Sequence, residues 1–218
     1  MDDCHAMNTS SEPRYIDSGS AMIPRAVIVA VLSFVLGGLT FYAQGFLPDA
    51  AVPFANSSSG WTLLTSLLVF GSRFRPAAAA VLGAVSFVLL VLGYAVVAGL
   101  EGLYYNPLLF SMIGVIAGPA VGAATSWLRA RGFRAAAGTG VLAGIGLGDG
   151  LFGLTVVHET TEPGYWWAVV AIAVILLAVM LVRRIRGAGP AILAVAGSAA
   201  MAGAFLIVYQ YVGARGLG

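Results

Sequence analysis

A lone carboxylate inside an apolar stretch is the residue of this chain best placed to do chemistry. Asp149 lies within residues 135–157, which read AAAGTGVLAGIGLGDGLFGLTVV. An ionised acid inside a bilayer costs at least about 2.5–3.5 kcal/mol, so an acid at such a position indicates a function or a bonded partner. We therefore expect Asp149 to face the protein interior, where it either binds a solute or holds a neighbouring helix by a structural hydrogen bond.

Residues near the outer ends of neighbouring apolar segments complete a candidate ligand-binding set with Asp149. Gln44 lies near the end of the first segment, Asn56 lies in the loop that follows, and Trp61 begins the second segment. Gln44 and Trp61 also have structural interpretations, because an amide commonly bonds a neighbouring helix and a tryptophan commonly anchors a helix at the membrane interface. The sequence predicts an outer vestibule here and leaves these alternatives open.

No pattern of catalytic or metal-ligating residues accompanies these groups. The sequence contains no H-E-x-x-H, G-x-S-x-G or Walker A motif. His158 and Glu159 are adjacent and would not share a helix face, which makes them a poor metal pair. One acid without a paired nucleophile or metal set is thin support for an enzyme, and no basic stretch is long enough to follow a phosphate backbone. We predict a protein that is not an enzyme, uses no cofactor or metal and binds no nucleic acid.

The composition is that of a chain dissolved in lipid. Of 218 residues, 60% are hydrophobic and 9% are charged, whereas soluble domains carry about 25% charged residues. A soluble fold could not cover so much apolar surface, so the lipid bilayer must act as the solvent. The sequence therefore predicts an all-α integral membrane protein.

Seven apolar segments divide the chain after a polar start. We predict a disordered cytoplasmic tail at residues 1–24 and a single transmembrane helical domain at 25–218. The predicted segments are 26–46, 61–71, 76–100, 108–128, 135–157, 165–182 and 190–212. Only the second is shorter than the roughly 17–25 residues that a spanning helix needs. The preceding residues 52–60 are then either irregular backbone that dips into the bundle or a solvated outer loop before a short helix that thins the bilayer.

The arginines orient the bundle. They lie before the first segment (Arg25), between the second and third (Arg73, Arg75), between the fourth and fifth (Arg129, Arg131, Arg134) and between the sixth and seventh (Arg183, Arg184, Arg186). These positions share one side of the membrane if the short second segment crosses it. The positive-inside rule makes that side cytoplasmic. The sequence thus predicts about seven transmembrane helices, with the N-terminus inside and the C-terminus outside.

Glycines at helical spacing predict close helix packing. Gly140, Gly144 and Gly148 form overlapping small-xxx-small pairs on one face of the fifth segment, and Gly118 and Gly122 form another pair in the fourth. Such faces let the backbones of neighbouring helices approach closely in lipid.

The stretches TFYAQGFLP (40–48), FANSSSGW (54–61) and GPAVGAATSWLR (118–129) resemble a family of small actinobacterial multi-pass membrane proteins of unknown function. The resemblance covers most of the chain from Arg25 onward and implies a polytopic plasma-membrane protein without implying an activity. The chain is also loosely similar to the substrate-capturing subunits of energy-coupling-factor vitamin transporters, which are small Gly/Ala-rich bundles with an outward site. Ala26 and Ala30 match the spacing of the A-x-x-x-A contact that such subunits make with a membrane partner, although those subunits usually have one span fewer.

The sequence leaves two classes of function open. The first is a small-molecule binding or transport component of a bacterial plasma membrane, with an outward-facing pocket near Asp149. The second is a non-catalytic scaffold or assembly subunit, in which the glycine faces dock a partner membrane protein and Asp149 pairs with a basic residue of that partner.

Overall fold

The computed structural model describes Tyr15, residues 19–157, Glu159 and residues 161–214. Most of the predicted tail, together with His158 and Arg215, lies outside the described residues. The first helix begins at Gly19 and therefore includes the last residues of the predicted tail.

The described residues form α-helices joined by short turns, with one 3₁₀ helix and no strand. The elements are α1 (Gly19–Phe46), the 3₁₀ helix (Asp49–Asn56), α2 (Ser58–Ser72), α3 (Pro76–Leu100), α4 (Leu108–Trp127), α5 (Phe133–Thr155), α6 (Pro163–Arg183) and α7 (Ala188–Ala214). Six of the seven α-helices, all but α2, are long and apolar enough to cross a membrane. The prediction of a polytopic helical membrane protein is confirmed.

Local sequence explains where several helices begin and end. α3 and α6 begin at Pro76 and Pro163, where the missing proline N–H would have no partner within the helix. The turns before α5 and α7 contain Gly132 and Gly187 at φ 63° and φ 93°, in a backbone region that side chains with a Cβ rarely adopt. These signals keep the turns short and place consecutive helices side by side.

Helices α1 and α3 pack side by side in parallel. The Ser33 and Ser86 hydroxyls share a hydrogen bond of 2.7 Å, and further along both helices Tyr42 Oη donates to Glu101 Oε1 at 2.7 Å. Gly93 permits the close approach, because a Cβ there would overlap the Phe34 carbonyl oxygen. Two parallel helices need a connection that returns along the bundle, and the 3₁₀ helix with α2 provides it.

Helices α5 and α7 form a second parallel pair, with α6 as the returning element. Gly140 lies beside Gly197, and a Cβ at Gly144 would come within 2.5 Å of the Met201 Cβ. The glycine face predicted on α5 is thus covered by α7 of the same chain.

Antiparallel contacts join the two pairs through α4. Gly118 and Gly122 of α4 lie against α3, where added Cβ atoms would meet the backbone of Ala84 and Ala79. At the other side of α4, Gly138 of α5 lies against the Ala124 carbonyl. The order along the bundle therefore runs from the α1–α3 pair through α4 to the α5–α7 pair.

The arginine-bearing segments meet at one end of the bundle. Arg129 Nη2 donates to the Phe70 carbonyl at 2.6 Å, and its guanidinium lies 3.7 Å from the centre of the Phe70 ring. Arg184 Nη1 donates to the Arg129 carbonyl and Arg25 Nη1 to the Ser72 carbonyl, both at 3.4 Å. We call this the arginine end. The opposite end, where α2 begins, is the cavity end.

Close packing of α1 on α3 makes a testable prediction within one helix. Gly93→Ala should lower the thermal unfolding temperature of the detergent-purified protein, because the new methyl group meets backbone that cannot move independently. Gly99→Ala is the matched control, since a Cβ at Gly99 meets no atom within 4 Å. Alanine favours a helix over glycine by roughly 0.5–1 kcal/mol, so this control should be neutral or stabilising. Equal effects of the two substitutions would contradict the parallel packing.

Candidate functional site

Helix α2 begins inside the bundle, and Asp149 binds its first turn. The Ser59 backbone N–H donates to Asp149 Oδ2 at 2.8 Å, and the Asp149 side chain is only 3% exposed. The first N–H groups of a helix have no partner within the helix and carry partial positive charge. A carboxylate at this position therefore satisfies a free donor and interacts favourably with the helix dipole.

Serine and tyrosine hydroxyls complete the cap of α2. Ser57 Oγ accepts from the Gly60 N–H at 3.0 Å and shares a hydrogen bond of 2.5 Å with the Tyr165 hydroxyl of α6. The same tyrosine hydroxyl lies 2.9 Å from Ser59 Oγ. The start of α2 is therefore held by α5 and α6 together, across 90 and 108 residues of sequence respectively.

These contacts decide between the two interpretations of residues 52–60. Ala55 is 0% exposed and Ser57 is 8% exposed, and the Trp61 indole N–H donates to the Ala55 carbonyl at 3.2 Å. Residues 52–56 pack against the bundle in the 3₁₀ helix, and residues 58–60 form the start of α2. Only Asn56 of this segment is exposed, so the interpretation as a solvated outer loop is wrong. Burial is possible because the polar backbone finds partners within the protein.

A cavity of about 480 Å³ lies beside the capped start of α2. It is lined by residues of α1, the 3₁₀ helix, α2 to α5, the α5–α6 connection, α6 and α7. The lining residues are Gln44, Val52, Pro53, Asn56, Ser57, Ser58, Trp61, Phe87, Tyr105, Phe110, Ile113, Asp149, Phe152, Val157, Thr161, Trp166 and Tyr209. Its size lies within the usual range for small-molecule sites, and most of its lining is apolar or aromatic.

The structure brings the four sequence-predicted site residues together around this cavity. Gln44 is half-buried and its Nε2 donates to the Tyr94 hydroxyl at 2.9 Å, whereas Asn56 is exposed at the rim. Trp61 is 4% exposed and packs within the protein, so its alternative interpretation as an interface anchor is wrong. That these residues bind a ligand stays a prediction.

Other lining residues were not singled out by the sequence. Tyr209 shares a hydrogen bond with Ser58 and packs its ring against Phe152, with ring centres 5.3 Å apart. Tyr105 lines the cavity, and its buried hydroxyl has no hydrogen-bond partner within the described residues. Burial, and to a lesser extent the neighbouring Tyr94, raises the pKa of Tyr105. Aromatic residues at segment ends are typical of interfacial anchors. The sequence therefore does not distinguish these two tyrosines as cavity residues.

A separate apolar groove of about 370 Å³ lies between α2 and α6. Leu63 and Leu67 of α2 and Ile172 of α6 are exposed along it. The hydroxyl cluster of Ser59 and Tyr165 stands at its end nearest the cavity. Its apolar, laterally open lining suits a lipid chain rather than a polar solute.

The described residues contain no group of three or more His, Cys, Asp and Glu side chains that could hold a metal ion. Within that part of the chain, the acid at the cavity has hydroxyl, amide and aromatic neighbours. The arrangement therefore suits recognition of a molecule by hydrogen bonds, charge and aromatic surface.

The cap on α2 predicts a stability effect at Asp149. Asp149→Ala should destabilise the protein by roughly 1–3 kcal/mol, because the buried Ser59 N–H loses its acceptor. Asp149→Asn should cost less, since the amide oxygen can still accept. Thermal unfolding in detergent measures both, with Asp49→Ala as the control for loss of an exposed carboxylate. An unchanged unfolding temperature for Asp149→Ala would rule out the cap.

Comparison with known proteins identifies a family. No curated protein and no solved structure matches the chain. Residues 16–214 match the family of unknown function DUF6518, which covers nearly the whole helical bundle. The chain therefore belongs to the DUF6518 family.

Proposed function

We propose that this protein is a small-molecule binding or transport component of a bacterial plasma membrane, without an energy source of its own. Its site is the cavity between the α1–α3 pair and the α5–α7 pair, with Asp149, Gln44, Asn56 and Trp61 in contact with the solute. The observation that carries the proposal is a cavity of ligand size that contains a buried carboxylate at the end of the bundle opposite the arginines.

The proposed orientation follows from the arginine end. Basic residues concentrate at cytoplasmic loops, so the cavity end faces outward, the N-terminus lies inside and the C-terminus outside. This requires seven crossings. With 15 residues, α2 is about 22 Å long, less than the roughly 30 Å hydrocarbon core. The 3₁₀ helix supplies the rest of that crossing.

A discontinuous crossing at the site supports a role in solute binding. In many transporters, substrate sites are formed where a spanning helix is interrupted and its free backbone groups point at the site. Here the interruption lies between the 3₁₀ helix and α2, and Ser57 and Ser58 of that interruption line the cavity. The outward pocket also agrees with the looser resemblance to vitamin-capturing subunits, and the proposed seventh span distinguishes this chain from them.

The surfaces that the scaffold alternative assigns to a partner are occupied within the chain. It required the glycine faces to dock partner helices. Gly140 and Gly144 of α5 lie against α7 of the same chain, and Gly118 and Gly122 of α4 lie against α3. A partner membrane protein would have to bind elsewhere on the bundle.

Thiol labelling tests the proposed orientation. In a Cys4→Ser background, Asn56→Cys should react with a membrane-impermeant maleimide on intact cells. Arg131→Cys should react only after the cells are permeabilised. Both residues are exposed, so a difference reports the side of the membrane. The reverse pattern would invert the bundle, and labelling of both from outside would remove the proposed topology.

Native mass spectrometry tests the proposed function. Wild-type protein released from its own membranes should retain a non-lipid small molecule, and Asp149→Asn should lose it while still inserting in the membrane. Asp49→Asn, at an exposed carboxylate outside the cavity lining, should retain it. Absence of any non-lipid adduct, or an adduct that persists in Asp149→Asn, would reject the proposal.

A further inference from the structure

The only charge on the described cavity lining is negative. Asp149 is its only charged residue among those that the structure describes. The nearest arginine clusters lie at the other end of the bundle, bonded to the carbonyls of Phe70 and Ser72. The Ser59 N–H and the dipole of α2 offset only part of a full negative charge, and a carboxylate in a low-dielectric site remains unfavourable without a cationic partner. The ligand that best completes this cavity is therefore a cation.

Aromatic rings form much of the remaining surface. Trp61 packs edge-on against Phe87 and Phe110, with ring centres 6.1 and 6.0 Å apart. Elsewhere on the lining, Phe152 packs edge-on against Tyr209 at 5.3 Å. Ring faces attract cations, especially alkylammonium groups whose charge is spread over an apolar surface.

The lining does not suit a divalent metal cation. Ca²⁺ takes 6–8 oxygen ligands, and Mg²⁺ needs near-ideal octahedral coordination. The described residues contain no cluster of carboxylates or histidines that could supply it. One Asp149 oxygen also accepts from the Ser59 N–H. A carboxylate beside apolar rings suits an organic ion with both a charge and a hydrocarbon surface.

The buried Tyr105 hydroxyl adds a recognition element. It has no partner within the described residues, and Tyr105 lines the same cavity as Asp149. A buried hydroxyl without a hydrogen bond costs free energy, so a ligand that bonds it gains affinity. The cavity volume of about 480 Å³ accommodates a molecule the size of a small amine or quaternary ammonium compound.

We infer that the cavity binds a small organic cation, either a protonated amine or a quaternary ammonium, with its charge at Asp149 and its alkyl groups against the aromatic lining. This inference rests on the proposed function and names the chemical class of its solute. It assigns Asp149 two roles, as the cap of α2 and as the counter-charge of the ligand.

Matched pairs of probes test the charge requirement. Choline and 3,3-dimethylbutan-1-ol have the same shape with and without the charge, and benzylammonium and benzyl alcohol form a second pair. Each is titrated against detergent-purified full-length protein, and binding is read from the thermal unfolding temperature. Sodium chloride at the same ionic strength is the salt control. At least one cation should give a saturable rise, and its neutral partner should bind at least about tenfold more weakly because it cannot interact with the carboxylate.

Two variants separate charge from aromatic surface. Asp149→Asn should weaken binding of that cation at least about tenfold, whereas Asp49→Asn should not change it. Phe110→Leu keeps an apolar side chain but removes a ring face, so the cation should bind about threefold more weakly with little change for the neutral compound. This second variant decides the matter if Asp149→Asn does not fold.

The inference is overturned if neither cation gives a saturable shift, or if each neutral partner matches its cation. It is also overturned if Asp149→Asn leaves the affinity for the cation unchanged. If Asp149→Asn does not fold, an unchanged affinity in Phe110→Leu overturns it instead. If native mass spectrometry then shows a retained neutral or anionic molecule, the proposed function stands and only the assignment of a cation is wrong. If native mass spectrometry also shows no retained non-lipid molecule, the proposed function and the assignment of a cation are both wrong.

Discussion

The fold depends on a helix that begins inside a membrane protein and must satisfy its own backbone there. In a bilayer, unpaired N–H groups cannot turn to bulk water, so a helix start buried in the bundle needs partners from the protein. Asp149 of α5 and the hydroxyl of Ser57 provide them for α2. This explains an acid in an otherwise apolar helix without any appeal to ligand binding, and it fixes the depth at which α2 begins.

The same constraint shapes the cavity. Because α2 begins inside the bundle, the chain before it folds as a 3₁₀ helix that covers the cavity end instead of continuing a full spanning helix. The cavity then lies between the two parallel pairs, α1 with α3 and α5 with α7, where no regular helix occupies the space. Structural cap and candidate binding site are thus consequences of one arrangement, and Asp149 belongs to both.

Hydropathy predicts the positions of most of the helices. It fails where contacts with residues distant in sequence determine where a helix begins. The bounds of α3 were predicted to the residue because proline begins it and an apolar run fills it. The start of α2 was not, since a Ser-Ser-Ser-Gly run has poor helix propensity, and the local Ser57 cap is supported by the distant Asp149 and Tyr165. Asp149 and Gln44 are identified as polar exceptions in apolar segments, and Asn56 and Trp61 by their place beside the predicted outer vestibule. Tyr105 and Tyr209 are not, because nothing local distinguishes a cavity tyrosine from an interfacial one.

The hydrogen bond from Ser59 to Asp149 is the central claim, and amide exchange of that single N–H tests it most directly. Hydrogen–deuterium exchange resolved to single residues should show the Ser59 N–H strongly protected in the wild-type protein, compared with the exposed residue Tyr104 in the turn between α3 and α4. Asp149→Ala should remove the protection at Ser59 and leave that of Val69, deep in the same helix, largely intact. Exchange at Ser59 as fast as in the exposed turn, or protection unchanged by Asp149→Ala, would contradict the account.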